Sequence, residues 1–140
     1  MDYIRAIKTG FIAYAGNLVV LSMLQNMLLP FIANVPSAQY IWQALVLIVT
    51  AGAVFYASQW YFKNGTASIN NGLILGIFTT VFSLVLLVVQ AFPGAVAAGK
   101  TAEFGTNFIT LFKDYGFLLS VVATVGAATF SGFFSQKKTA

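Results

Sequence analysis

The chain has 140 residues, of which 59% are hydrophobic and only 7% charged, against roughly 25% charged in an average soluble domain. Seven basic and three acidic side chains cannot cover a water-soluble protein of this size, so the bilayer is the expected solvent and partner. The net charge of +4 is no nucleic-acid signal, because its few basic residues sit at segment ends, and the lack of Cys and His excludes disulfides, thiolate nucleophiles and the usual haem, iron–sulfur and zinc ligand sets.

The chain opens with Arg5 and Lys8 ahead of a long apolar run, the arrangement of a signal sequence. Cleavage needs small residues close behind the run. Ala13-Tyr14-Ala15 comes too early and Pro36-Ser37-Ala38 puts a proline where a small residue is wanted, so a retained signal-anchor helix is expected. This first segment runs from about Gly10 to Ala33, long enough to span with tilt. It carries Asn17, Ser22, Gln25 and Asn26, which spread over about half the helix circumference at 100° per residue. Carboxamides in lipid seek partners, so these residues read either as hydrogen-bonding glue to neighbouring helices or as the lining of a polar path. Pro30 is placed to kink or end the helix.

The second segment, about Tyr40 to Phe62, has Tyr40 and Trp42 at one end and Trp60 and Tyr61 at the other, the pattern of interfacial aromatic belts. Its centre is apolar apart from Thr50, with Gly52 as the expected point of close approach. Asn64-Gly65 signals the turn that follows. The third segment, about Gly72 to Phe92, opens with a GxxxG pair, Gly72 and Gly76, continued by Thr80 and flanked by Thr79 and Ser83; Pro93-Gly94 is expected to stop it.

A connection rich in small residues leads to a helical pattern over about 104–115, in which Phe104, Phe108, Leu111 or Phe112, and Tyr115 share one face. An amphipathic helix lying at the membrane interface is expected there. The fourth segment, about Gly116 to Phe134, carries small residues at every fourth position: Gly116, Ser120, Thr124, Ala128 and Gly132. Such a stripe permits close helix–helix packing, either on Gly72, Gly76 and Thr80 of the same chain or on another subunit.

With the N-terminus inside, Arg5, Lys8, Lys63, Lys137 and Lys138 fall on the cytoplasmic side and only Lys100 and Lys113 on the other, which favours both termini cytoplasmic in a bacterial-type inner or plasma membrane. Asp2, Glu103 and Asp114, the only acidic residues, all lie outside the middle of the spans, so a proton-coupled carrier or an intramembrane acid–base pair lacks its groups. The sequence thus predicts an all-α integral membrane protein, a compact bundle of four transmembrane helices in a single membrane domain with short loops. Its expected role is non-catalytic and cofactor-free: an accessory or self-assembling subunit that packs into a homo-oligomer or with other membrane subunits. The alternative is a small oligomeric pore, holin-like channel or carrier with a path lined by carboxamides and hydroxyls.

Overall fold

Three short polar side chains start three of the helices. The Asp2 carboxylate accepts from the Arg5 amide at 3.1 Å, the Ser68 hydroxyl from the Asn71 amide at 3.1 Å, and the Asp114 carboxylate from the Phe117 amide at 2.8 Å. Each satisfies an amide that the first helical turn leaves without a partner. The computed structural model describes residues 2–139, with side chains through Lys137, so the Lys138 side chain lies outside the described part. It contains α1 (Tyr3–Ile32), α2 (Ala38–Phe62), α3 (Ile69–Ala97), α4 (Thr101–Leu111) and α5 (Tyr115–Thr139).

Four of these, all but α4, are long and apolar enough to cross a membrane. With 30 and 29 residues, α1 and α3 reach about 45 Å at a rise of 1.5 Å per residue, which exceeds a hydrocarbon core of about 30 Å.

The sequence placed the end of α3 at Pro93-Gly94, yet the helix continues through both to Ala97. Proline removes one backbone donor and bends a helix without always ending it, and in lipid-facing helices neighbours absorb the loss. The terminator is Gly99, whose φ of 68° is left-handed. Its amide donates to the Val96 carbonyl, and the Lys100 amide donates to the Ala95 carbonyl at 2.8 Å. This pair of bonds is a Schellman cap, which asks for glycine at this position.

The four long helices form a ring in the order α1, α2, α5, α3, with α1 and α5 at opposite corners. Neighbours α1/α2 and α3/α5 are antiparallel, whereas α1/α3 and α2/α5 run parallel. The closest approach is between α3 and α5. A Cβ on Gly72 would lie 2.6 Å from the Ala128 carbonyl oxygen, and one on Gly76 would lie 2.7 Å from the Val125 Cα. Gly132 meets the Ser68 carbonyl and the Gly72 backbone in the same way. The GxxxG face of α3 is therefore filled by α5 of the same chain. Gly52, expected to be a contact point, instead faces open space on the outer side of α2.

Burial is strongly one-sided. Every buried residue lies in the half of the ring that contains the start of α1, the end of α2, the start of α3 and the end of α5. Leu75, Ala6, Tyr61 and Phe62 form one cluster there, and Ala13, Val54, Ala57 and Ala128 another. In the opposite half, no described residue is buried. That half contains α4, which the sequence extended to Tyr115. It stops at Leu111 instead, because the Asp114 carboxylate begins a new helix. Tyr115, expected on the aromatic face of this helix, belongs to α5 instead. Phe92 of α3, Phe104, Phe108 and Phe112 at α4, and Phe117 of α5 form a row of ring contacts, mostly edge to face, at centroid distances of 5.5–6.2 Å, while Tyr115 is exposed.

Candidate functional site

Where the packed half ends, the four long helices line a partly open cavity of about 210 Å3, most of whose surface is apolar, from Val46, Leu84, Leu87, Phe117 and their neighbours. All four contribute polar side chains: Asn17 from α1, Thr50 from α2, Thr79, Thr80 and Ser83 from α3, and Ser120 and Thr124 from α5. No charged side chain lines it. At about 30 Å3 per molecule, its volume is that of several waters or one small solute.

The helical geometry explains how a small-residue stripe becomes a cavity wall. Positions four apart drift by about 40° around a helix at each step. Along α5, Ala128 and Gly132 consequently face α3, while Thr124 and Ser120, one and two steps earlier, have turned toward the ring centre. Gly116 is half-buried, beside the Asp114 carboxylate. The same split occurs on α3, where Gly72 and Gly76 touch α5 and Thr80 faces the cavity. The contact face of α5 also includes the backbone of Val125.

The hydroxyls fall into two kinds. Thr80 and Ser120 donate to carbonyls one turn back, Gly76 at 3.0 Å and Gly116 at 2.9 Å. Their oxygens keep acceptor capacity toward the cavity. Thr50 donates to the Asn17 side-chain oxygen at 3.3 Å, tying α2 to α1 and leaving the Asn17 NH2 as a donor. Thr79 differs: it is 1% exposed and its hydroxyl has no hydrogen-bond partner within the protein. A buried hydroxyl without a partner costs about 1–3 kcal/mol, and this one lies behind the cavity surface, out of contact with anything inside it. Donors and acceptors are thus both present, without a fixed charge.

The carboxamides of α1 separate by depth. Asn17 reaches the cavity, but Ser22, Gln25 and Asn26 are exposed on the outside of the unpacked half. Gln25 is eight residues beyond Asn17, and Trp42 is eight residues before Thr50 on antiparallel α2. Gln25 and Asn26 therefore lie about level with the Trp42 belt, roughly 12 Å from the cavity. Of the polar residues singled out in the sequence, Asn17, Thr80, Ser83, Ser120 and Thr124 come together, and Ser22, Gln25 and Asn26 do not. The sequence reading missed Thr50 and Thr79 as site residues. A usable signal existed for each: Thr50 is the single polar residue at the centre of its span, and Thr79 begins the Thr-Thr-x-x-Ser cluster of α3.

Charge is confined to the ends. Arg5 stacks on Trp60 at 5.8 Å and Lys137 on Phe133 at 4.6 Å in the packed half, and Lys100 pairs with Glu103 at 3.6 Å at the other end. The Lys100–Glu103 pair is well exposed and contributes little. Among the described residues no group of three or more His, Cys, Asp or Glu side chains lies close enough to hold a metal ion. Compared with known protein families, curated proteins and solved structures, the chain matches none, and its geometry alone carries the functional reading.

Proposed function

We propose that this chain is a non-catalytic multi-pass membrane protein, a four-helix bundle that holds a small uncharged polar solute, with its hydration water, in a carrier-like site half-way across the bilayer. The observation that carries this is the cavity shared by all four long helices, to which each of them brings polar side chains. In a hydrocarbon environment unsatisfied polar groups are costly, and hydroxyl and carboxamide side chains from four helices, set among Val46, Leu84, Leu87 and Phe117, suit a small occupant with both polar and apolar surface. The absence of charge in the lining suits a neutral solute better than an ion.

In this reading both termini are cytoplasmic, which puts the packed half inward, and α4 rests at the outer interface with its phenylalanine row against α3 and α5. The site then opens outward and is closed inward by Leu75, Ala128 and their neighbours. Passage requires the helices to move in the packed half, so the protein acts as a carrier and not as an open pore. Swelling of proteoliposomes in gradients of urea or glycerol tests this. The expected result is swelling faster than in empty vesicles, slowed several-fold by Ser120→Leu, which fills the cavity. Swelling equal to that of empty vesicles would count against the carrier.

The accessory-subunit reading keeps one supporting observation: the outer face of α2, with Gly16 and Gly52 unobstructed, has room for another helix. The mass of the particle in mild detergent tests it. A stable complex with other subunits would favour it over the carrier.

A further inference from the structure

The outer face of α2, between α1 and the last turns of α5, forms an open apolar groove of about 1070 Å3. Its floor is unusually low because Gly16 of α1 and Gly52 of α2 have nothing within 4 Å of where a side chain would start. Ile12 and Val20 wall it on the α1 side and Phe134 on the α5 side. The groove follows α2 from Val49 to Lys63, about 21 Å at 1.5 Å per residue. That distance is somewhat more than the depth of one leaflet, half of a hydrocarbon core of about 30 Å.

The ends of the groove differ in chemistry. Toward Val49 it is apolar, whereas at the other end it terminates in Trp60 and Lys63. Arg5 stacks on that Trp60, and with the Asn64 amide turned so that its oxygen faces α1, the guanidinium donates to it at 3.1 Å. These contacts hold Arg5 against Trp60 and Asn64, the latter next to Lys63 in the chain, and leave guanidinium donors over. Among the described residues Lys63 makes no ion pair, and the nearby carboxylate of Asp2 is engaged in capping α1. An apolar trough somewhat deeper than one leaflet thus ends in Lys63 and an interfacial tryptophan, with Arg5 stacked on that tryptophan just outside the lining.

We infer that this groove is a binding site for one anionic glycerophospholipid, its acyl chains lying over Gly52 and Gly16 and its phosphate held by Arg5 and Lys63. The charge pattern selects a lipid over a second helix: an apolar helix would fill the trough but would leave both cations without a counter-charge. Anionic headgroups of the cytoplasmic leaflet attract basic residues placed at this level. The site is on the opposite side of α2 from the polar cavity and does not depend on it.

Native mass spectrometry of the full chain, released from mild detergent with equimolar phosphatidylglycerol and phosphatidylcholine, tests the inference. The expected spectrum shows one phosphatidylglycerol retained in preference to phosphatidylcholine. Arg5→Gln and Lys63→Gln should each lower that preference roughly fivefold, while Lys63→Arg keeps it. Gly52→Leu, which occupies the trough, should remove the retained lipid of either kind. Circular dichroism confirms that each variant keeps its helix content. Equal retention of the two lipids, or a preference that both charge variants leave unchanged, would overturn the inference. So would a dimer in place of the lipid adduct that Gly52→Leu dissociates, since the occupant would then be a second copy of the chain.

Discussion

Gly132 of α5 lies directly against Gly72 of α3, with the Gly72 Cα 3.1 Å from where a Gly132 side chain would begin. Backbone meets backbone there, and neither helix can yield as a flexible side chain could. Gly132→Ala should therefore destabilise the protein by about 1–3 kcal/mol, the range for overpacking a filled contact. Gly126→Ala, on the same helix with nothing within 4 Å, is the control. It should be neutral or stabilising by up to about 1 kcal/mol through helix propensity. Unfolding in mixed micelles measures both, and equal effects of the two changes would contradict the contact.

Among the described residues, the bond from Thr50 to Asn17 is the one side-chain hydrogen bond that ties α1 to α2 at the level of the cavity. Interhelical bonds of this kind are worth about 0.6 kcal/mol on average. A double-mutant cycle of Asn17→Leu and Thr50→Val should return a coupling of about that size. A coupling of zero would mean that the two side chains are satisfied independently.

Thr79→Val reports on the buried hydroxyl behind the cavity surface. The two side chains have nearly the same shape, so the exchange removes a hydroxyl with little change in packing. A hydroxyl without a partner is only a cost, so the change should stabilise by about 1 kcal/mol. Destabilisation by Thr79→Val would show that the hydroxyl has a partner.

Much of the architecture was legible in the sequence, and the reasons are local. Four apolar runs and their aromatic ends gave four long helices, because hydropathy and length are properties of single segments. The end of α3 was misplaced because Pro93-Gly94 looked like a stop, while the operative signal, Gly99 in a left-handed cap, stood five residues further on. The site was half legible. Asn17, Thr80 and Ser83 were recognisable as polar residues within spans, but their convergence depends on ring order and on helix directions that no segment encodes alone. The stripe of α5 shows this most clearly: spacing marked five small residues, and only the neighbours decide that Gly132 packs while Ser120 faces a cavity.

Orientation is open to a direct check because the chain has no cysteine of its own. A single cysteine at Ala98, after α3, should react with an impermeant maleimide in intact cells. One at Thr66, between α2 and α3, should react only after permeabilisation. The reverse pattern would invert the topology and put the packed half outward.

The carrier reading rests on a polar space at mid-depth that water enters from the α4 side. The reactivity of Ser83→Cys toward a small water-soluble methanethiosulfonate tests this most directly, because only a hydrated thiol ionises and reacts. Val85→Cys, on the lipid-exposed face of the same helix, provides the comparison. Ser83→Cys should react from the outer side, far faster than Val85→Cys, and should be slowed when Ser120→Leu fills the cavity. Equal and negligible reactivity at both positions would show a dry bundle and contradict the account.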